Sequence, residues 1–247
     1  MFSKILMIMK NFLSNLLSDS TTQSKIIKYP GPVIMISREC GCSAKRIAIK
    51  LSKILSGYSY LSETKTPVEW QWVSKEIIEE AASELEMAPL RIKDVFLSEA
   101  KTSLHEVSTA FSIEKVYDAD DQQVIDTVRN VILRIAEVGN FIIVGRAAGA
   151  IARDISQKLS IKLQAPLDWR INRIMQISNM TQDEAQHYVL EIDRQRQLFV
   201  EHVNGRKMNN NDFDLIFNYS TMQDDYIVDA IINIMKNKRM IVNHESE

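Results

Sequence analysis

Several features that would make the chain easy to classify are scarce or missing. Of 247 residues only Cys40 and Cys42 are cysteine, too few for a disulfide framework and without the second pair that a structural zinc site needs. Neither sign of charge dominates: the formal net charge is -2, which excludes a global basic coat for long nucleic acid. The apolar stretch from Phe2 to Leu17 is broken by Lys4 and Lys10, is too short to span a membrane, and is followed by no small-residue cleavage site. The four histidines, His105, His187, His202 and His244, are scattered and form no triad motif with a serine or cysteine. Glu184 and His187 have the E-x-x-H spacing of a di-iron half-site, but no second such motif accompanies them, so they read as a solvated helix face. The common phosphate-binding pattern G-x-x-x-x-G-K-[ST] has neither its lysine nor its hydroxyl in register.

What is present has the profile of a soluble globular protein, with 45% hydrophobic and 25% charged residues. Residues 25–247 are expected to form one domain, and the cysteine usage fits a reducing, cytoplasmic setting. Residues 1–24 are read as a flexible extension or a start codon placed too early, with an amphipathic surface anchor as the alternative.

From Val33 onward, short apolar strands alternate with amphipathic helices, which predicts an α/β fold with a mainly parallel sheet and helices on both faces. Strands are expected at Val33–Ser37, Tyr58–Tyr60, Phe141–Val144, Leu159–Gln164 and Leu215–Asn218. Helices are expected at Lys45–Leu55, Gln122–Val138, Ala147–Ile155, Leu167–Ile177 and Asp224–Lys236. The helix over 122–138 carries Val124, Ile125, Val128, Val131, Ile132 and Ile135 at helical spacing, with Gly139 as its stop. Thr181 and Glu184 have the spacing of a capping box that opens a helix running to about Val200. Lys75–Glu86 and Pro89–Phe111 read as an inserted helical region.

Two strand-to-helix turns carry the chemistry. Val33 to Ile36 runs into Ser37-Arg38-Glu39-Cys40-Gly41-Cys42-Ser43-Ala44-Lys45-Arg46, and Phe141 to Val144 runs into Gly145-Arg146. Such a turn aims backbone amides and a helix N-terminus at one point, which favours phosphate. In a parallel sheet both turns face the same edge, so Arg146 stands at the ligand end. The plain alternative is a pair of ordinary turns.

These two segments, with Ala165-Pro166-Leu167-Asp168-Trp169-Arg170-Ile171-Asn172-Arg173-Ile174 and the weaker Glu191-Ile192-Asp193-Arg194-Gln195-Arg196, resemble the cytidylate kinase-like proteins, relatives of the P-loop nucleoside monophosphate kinases. The resemblance runs from residue 33 to about 237. It implies a three-layer P-loop NTPase-type fold with a helical insert for the monophosphate, about 62–120, and a lid, about 178–212. It also implies phosphoryl transfer from ATP, with Mg2+, to a nucleoside monophosphate, typically CMP or dCMP. By family position, Gly41, Cys42, Ser43, Ala44, Lys45 and Arg46 would hold the ATP phosphates, with Lys45 supplying the catalytic cation. Arg38 and Arg146 would grip the acceptor, an arginine fork suiting phosphate. Arg170, Arg173, Arg194 and Arg196 would serve the lid and the phosphates, Arg196 closing over the transferred group.

The chain departs from the pattern at several points. Ala44 takes the place of the P-loop lysine and Arg46 that of the magnesium-binding hydroxyl. Ala147 follows Gly-Arg where the true cytidylate kinases carry aspartate, and Ser74 replaces an acidic residue. No magnesium ligand is assigned, although Glu39 and Asp168 lie near strand ends. Two other readings therefore stand beside the kinase: a nucleotide-binding or regulatory protein that lost turnover, and a kinase for another small acceptor. Trp70 and Trp72 suit either a stacked base or the core.

Overall fold

The computed structural model describes residues 32–61, 69–74 and 119–241. Five parallel strands form one sheet in the order β2-β3-β1-β4-β5, where β1 is Val33–Arg38, β2 Gln71–Val73, β3 Phe141–Val144, β4 Lys158–Gln164 and β5 Leu215–Asn218. The helices are α1 (Ala44–Leu61), α2 (Ala119–Val138), α3 (Ala148–Ile151), α4 (Leu167–Ser178), α5 (Gln182–Asn204) and α6 (Asp224–Asn237). The expected α/β architecture, three layers around a parallel sheet, is the one observed.

Strand β1 shows why the layers form. Its residues alternate between faces, so Val33 and Met35 join one core while Ile34 and Ile36 join the other. On the first face the sheet packs against Val124, Val128, Ile132 and Ile135 of α2 and against Phe199 and Val203 of α5. The opposite face receives Ile47, Leu51 and Leu55 of α1 and Ile227, Ile231 and Met235 of α6. Each of these buried apolar side chains contributes about 1.5–3 kcal/mol by leaving water. A third cluster joins α4 to α5 through Ile171, Ile174, Ala185, Val189 and Ile192, with Cys40 of the first turn packed into it.

The helix ends follow local rules. Gly139 adopts φ 77° and its amide closes on the Ile135 carbonyl at 3.1 Å, ending α2 where expected. Thr181 and Glu184 form the expected capping box, and α5 runs beyond Val200 to Asn204, where Gly205 at φ 72° ends it. Two expectations are corrected. Tyr58–Tyr60 is not a strand: α1, held down at four-residue intervals by Ile47, Leu51 and Leu55, continues through it. The second strand is instead Gln71–Val73, which pairs with β3 at the sheet edge, and Trp70 beside it is buried in the core. The helix expected over Ala147–Ile155 is the four-residue α3, because Ala147 is left-handed and Ala152 leaves helical geometry. The helices expected within 75–111 lie outside the described residues.

Candidate functional site

The turn after β1 is fastened mainly by its own backbone. The Glu39 amide donates to Leu163 O at 3.0 Å, Cys42 to Glu39 O at 3.1 Å, Ala44 to Cys42 O at 3.0 Å, and Arg46 to Ser43 O at 3.1 Å. The amides of Cys42 and Ala44, both expected in a phosphate cradle, are thus spent inside the turn. Gly41 is required for two reasons: its φ is 90°, and a Cβ there would lie 3.3 Å from the Arg170 Cβ of α4. Both thiols are buried and unbridged. Burial, reinforced by the neighbouring Glu39 carboxylate, pushes the Cys42 thiol up to about 12, so it is neutral and a poor nucleophile or metal ligand.

The turn after β3 is conformationally costly. Gly145, Arg146 and Ala147 are all left-handed, at φ 78°, 57° and 53°. Each non-glycine in that region costs roughly 1–2 kcal/mol. Gly145 carries a second constraint, because a Cβ on it would fall 2.0 Å from Arg38 Nη1. The missing side chain lets the Arg38 guanidinium lie on the backbone beside Arg146. The Arg38 guanidinium thus lies against the Gly145 backbone, one residue before Arg146, at the carboxyl ends of neighbouring strands, and Arg196 of α5 reaches the same turn by donating to the Arg38 carbonyl oxygen at 3.3 Å.

Arg170, which local pattern alone would leave on a helix surface, is buried. Its guanidinium donates to Ala165 O at 3.0 Å and to Cys40 O at 3.4 Å, and it meets Asp193 Oδ2 at 2.5 Å and Glu39 Oε2 at 3.4 Å. Glu39 also accepts the Ala165 amide at 3.1 Å. Asp193 accepts the Cys40 amide at 2.7 Å, and its Oδ1 lies 3.7 Å from Arg196 Nη1. Asp193 is thus the link between the first turn, α4 and α5, a role the sequence reading did not give it. Its i, i+3 spacing to Arg196 was the available signal, since that places both on one helix face.

Arg173 takes a different direction. Its guanidinium stacks 5.1 Å from the Trp169 ring and 5.4 Å from that of Tyr219, and donates to Ser43 Oγ at 3.2 Å. Arg170 and Arg173 therefore touch the same turn at Cys40 and Ser43. The Tyr219 hydroxyl donates to the buried Asp224 at 2.9 Å, and burial followed by that contact raises its pKa. Arg46 pairs with the other oxygen of Asp224 at 2.8 Å, and the Lys45 ammonium sits 5.4 Å over the Trp72 ring. Arg194 makes a bidentate pair with Glu191 at 2.7 and 2.8 Å within α5. Burial raises the Glu191 carboxyl, but the bonds from Arg194 and Gln195 outweigh it and hold the group below the ordinary glutamate value.

A magnesium ion held by protein ligands does not fit this arrangement. Arg46, at the place of the usual hydroxyl, is a cation already paired with Asp224, and Glu39 is engaged by Arg170 and the Ala165 amide. Asp168 is exposed in the first turn of α4, and the described residues contain no group of three His, Cys, Asp or Glu side chains able to hold a metal. Among the described residues, no helix is long and apolar enough to cross a membrane.

The family model that matches this chain is that of the cytidylate kinase-like family, over residues 33–221. The chain belongs to that family. The matched region takes in both turns, the Arg170 and Arg173 segment and the whole of α5. An uncharacterized protein from Eubacterium ventriosum shares the fold at a TM-score of 0.59 and 20% identity, covering 83% of this chain and 98% of that one. More distant likenesses include TT1252 from Thermus thermophilus, at 0.48 and 12% identity over 85% and 98% of the two chains. Shikimate kinase from Bacteroides thetaiotaomicron follows at 0.42 and 12% over 84% and 98%. Among the curated proteins none matches significantly.

Proposed function

We propose that this cytidylate kinase-like protein transfers a phosphoryl group from ATP to a nucleoside monophosphate, with CMP or dCMP as the acceptor. The observation that carries the reading is the Arg38 guanidinium lying on the Gly145-Arg146 turn at the carboxyl ends of β1 and β3, with Arg196 bonded to the Arg38 carbonyl, beside the turn that opens α1. Phosphoryl transfer requires little covalent chemistry from a protein and much positioning and neutralisation of charge, which fixed guanidiniums supply. In this reading Arg38 and Arg146 hold the acceptor phosphate, while Arg173, fixed by two aromatic rings and Ser43, addresses the donor side of the turn. Arg196 closes from the expected lid, about 178–212, and the expected insert, about 62–120, apart from the core strand Gln71–Val73 that falls within its range, would complete the acceptor site. Magnesium enters as the counter-ion of ATP. Two buried thiols without a disulfide suit a reducing cytoplasm.

A nucleotide-binding protein without turnover is the second reading. It is favoured by Ala44 at the lysine position together with the engagement of Lys45 by Trp72 and of Arg46 by Asp224. ADP release measured with ATP and magnesium against CMP, dCMP, UMP, AMP and GMP separates the two. Turnover on one acceptor that is lost in Arg146→Ala supports the kinase. ATP binding without turnover on any acceptor supports the second reading.

A further inference from the structure

Helix α5 places a carboxylate where an anion belongs. Asp193 Oδ1 accepts the Cys40 amide of the first turn at 2.7 Å, and Oδ2 meets Arg170 Nη1 at 2.5 Å. Arg196 Nη1 stands 3.7 Å from Oδ1. A turn amide converging with two guanidiniums is the donor set that recognises a phosphoryl group, whose oxygens accept the same bonds with more charge behind them. The contact is able to open. The Asp193 side chain is 26% exposed, so a solvent-borne anion can reach it. Arg170 keeps Ala165 O and Glu39 if Asp193 leaves, so its departure strands no buried cation.

We propose that Asp193 is an intramolecular competitor for phosphate. It fills the subsite formed by the Cys40 amide, Arg170 and Arg196, and a phosphate chain displaces it, exchanging the tie between α5 and the turn for contacts to the ligand. Binding of phosphate and loss of the Asp193 contact to the turn are then one equilibrium, because the same donors cannot serve both anions. The ligand class, a polyphosphate chain, rests on the kinase reading, but the test does not depend on turnover.

The experiment is calorimetric titration of the full-length protein with inorganic tripolyphosphate in the absence of divalent metal. Asp193→Asn retains an oxygen that accepts the Cys40 amide and removes the competing charge, whereas Asp193→Glu retains the charge. Asp193→Asn is expected to bind tripolyphosphate about tenfold more tightly than the wild type, the scale of one like-charge interaction near the surface, and more so at low salt. Asp193→Glu is expected to stay within about threefold of the wild type, since its charge persists. Unchanged or weaker binding by Asp193→Asn overturns the proposal. So does an Asp193→Asn chain that fails to fold by circular dichroism, because a carboxylate that cannot leave is a strut and not a competitor. Failure of the kinase reading would show separately, as absence of ADP release in protein whose tripolyphosphate affinity still responds to Asp193→Asn.

Discussion

Gly145→Ala separates two consequences of one atom. At φ 78° an alanine is strained, which costs roughly 1–2 kcal/mol of stability. The new Cβ would also fall 2.0 Å from Arg38 Nη1, well inside van der Waals contact. The obstructing atom is the end of a flexible side chain, so the guanidinium swings away and the collision itself adds little to the stability loss. The cost appears in function. If Arg38 contacts the acceptor phosphate, removing a charge-assisted hydrogen bond worth about 1.5–3 kcal/mol raises KM for the acceptor roughly ten- to hundredfold. The expected result is a Tm lowered by about 2–8 °C, as the size of the chain implies, with KM for the monophosphate raised and that for ATP nearly unchanged. Thermal melts by circular dichroism and steady-state kinetics of ADP release measure both. A normal acceptor KM in a variant with the lowered Tm would remove Arg38 from the acceptor site. An unchanged Tm would refute the backbone argument.

Further outcomes follow from two buried groups. Arg170→Met leaves Glu39 and Asp193 facing each other without their shared cation and is expected to cost about 3–5 kcal/mol in urea unfolding; a loss below about 1 kcal/mol, the range of a surface pair, would show that solvent screens the cluster. The Cys42 thiol, raised from 9.0 to about 12, should resist iodoacetamide in the native protein at pH 8 and react on unfolding. Because its folded pKa lies above the unfolded one, its contribution to stability is complete below pH 9 and is lost as the pH rises towards 12. Native-state alkylation of Cys42 at the rate of an exposed thiol would contradict its burial.

How far the chain could be read without its structure depended on the range of the interaction. The continuous apolar run Val33–Ile36 marked a strand covered on both faces, the apolar spacing of Val124 to Ile135 marked α2, and Thr181 with Glu184 marked the start of α5. Each is decided within a few residues by backbone geometry and hydrogen bonding, so the sequence by itself determined it. The Gly145-Arg146 turn was visible for the same reason, since glycine permits the left-handed step that ends β3. Tyr58–Tyr60 was misread because strand formers in a short window do not reveal that a neighbouring helix, already anchored in the core, will continue through them. Tertiary structure alone decided the partners of the long cations: Arg170 with Asp193 and Glu39, Arg173 with Trp169 and Tyr219, Lys45 with Trp72, and Arg46 with Asp224. A flexible, charged side chain reaches several neighbours, and only the packing of distant elements determines which carboxylate or ring is within reach and out of water.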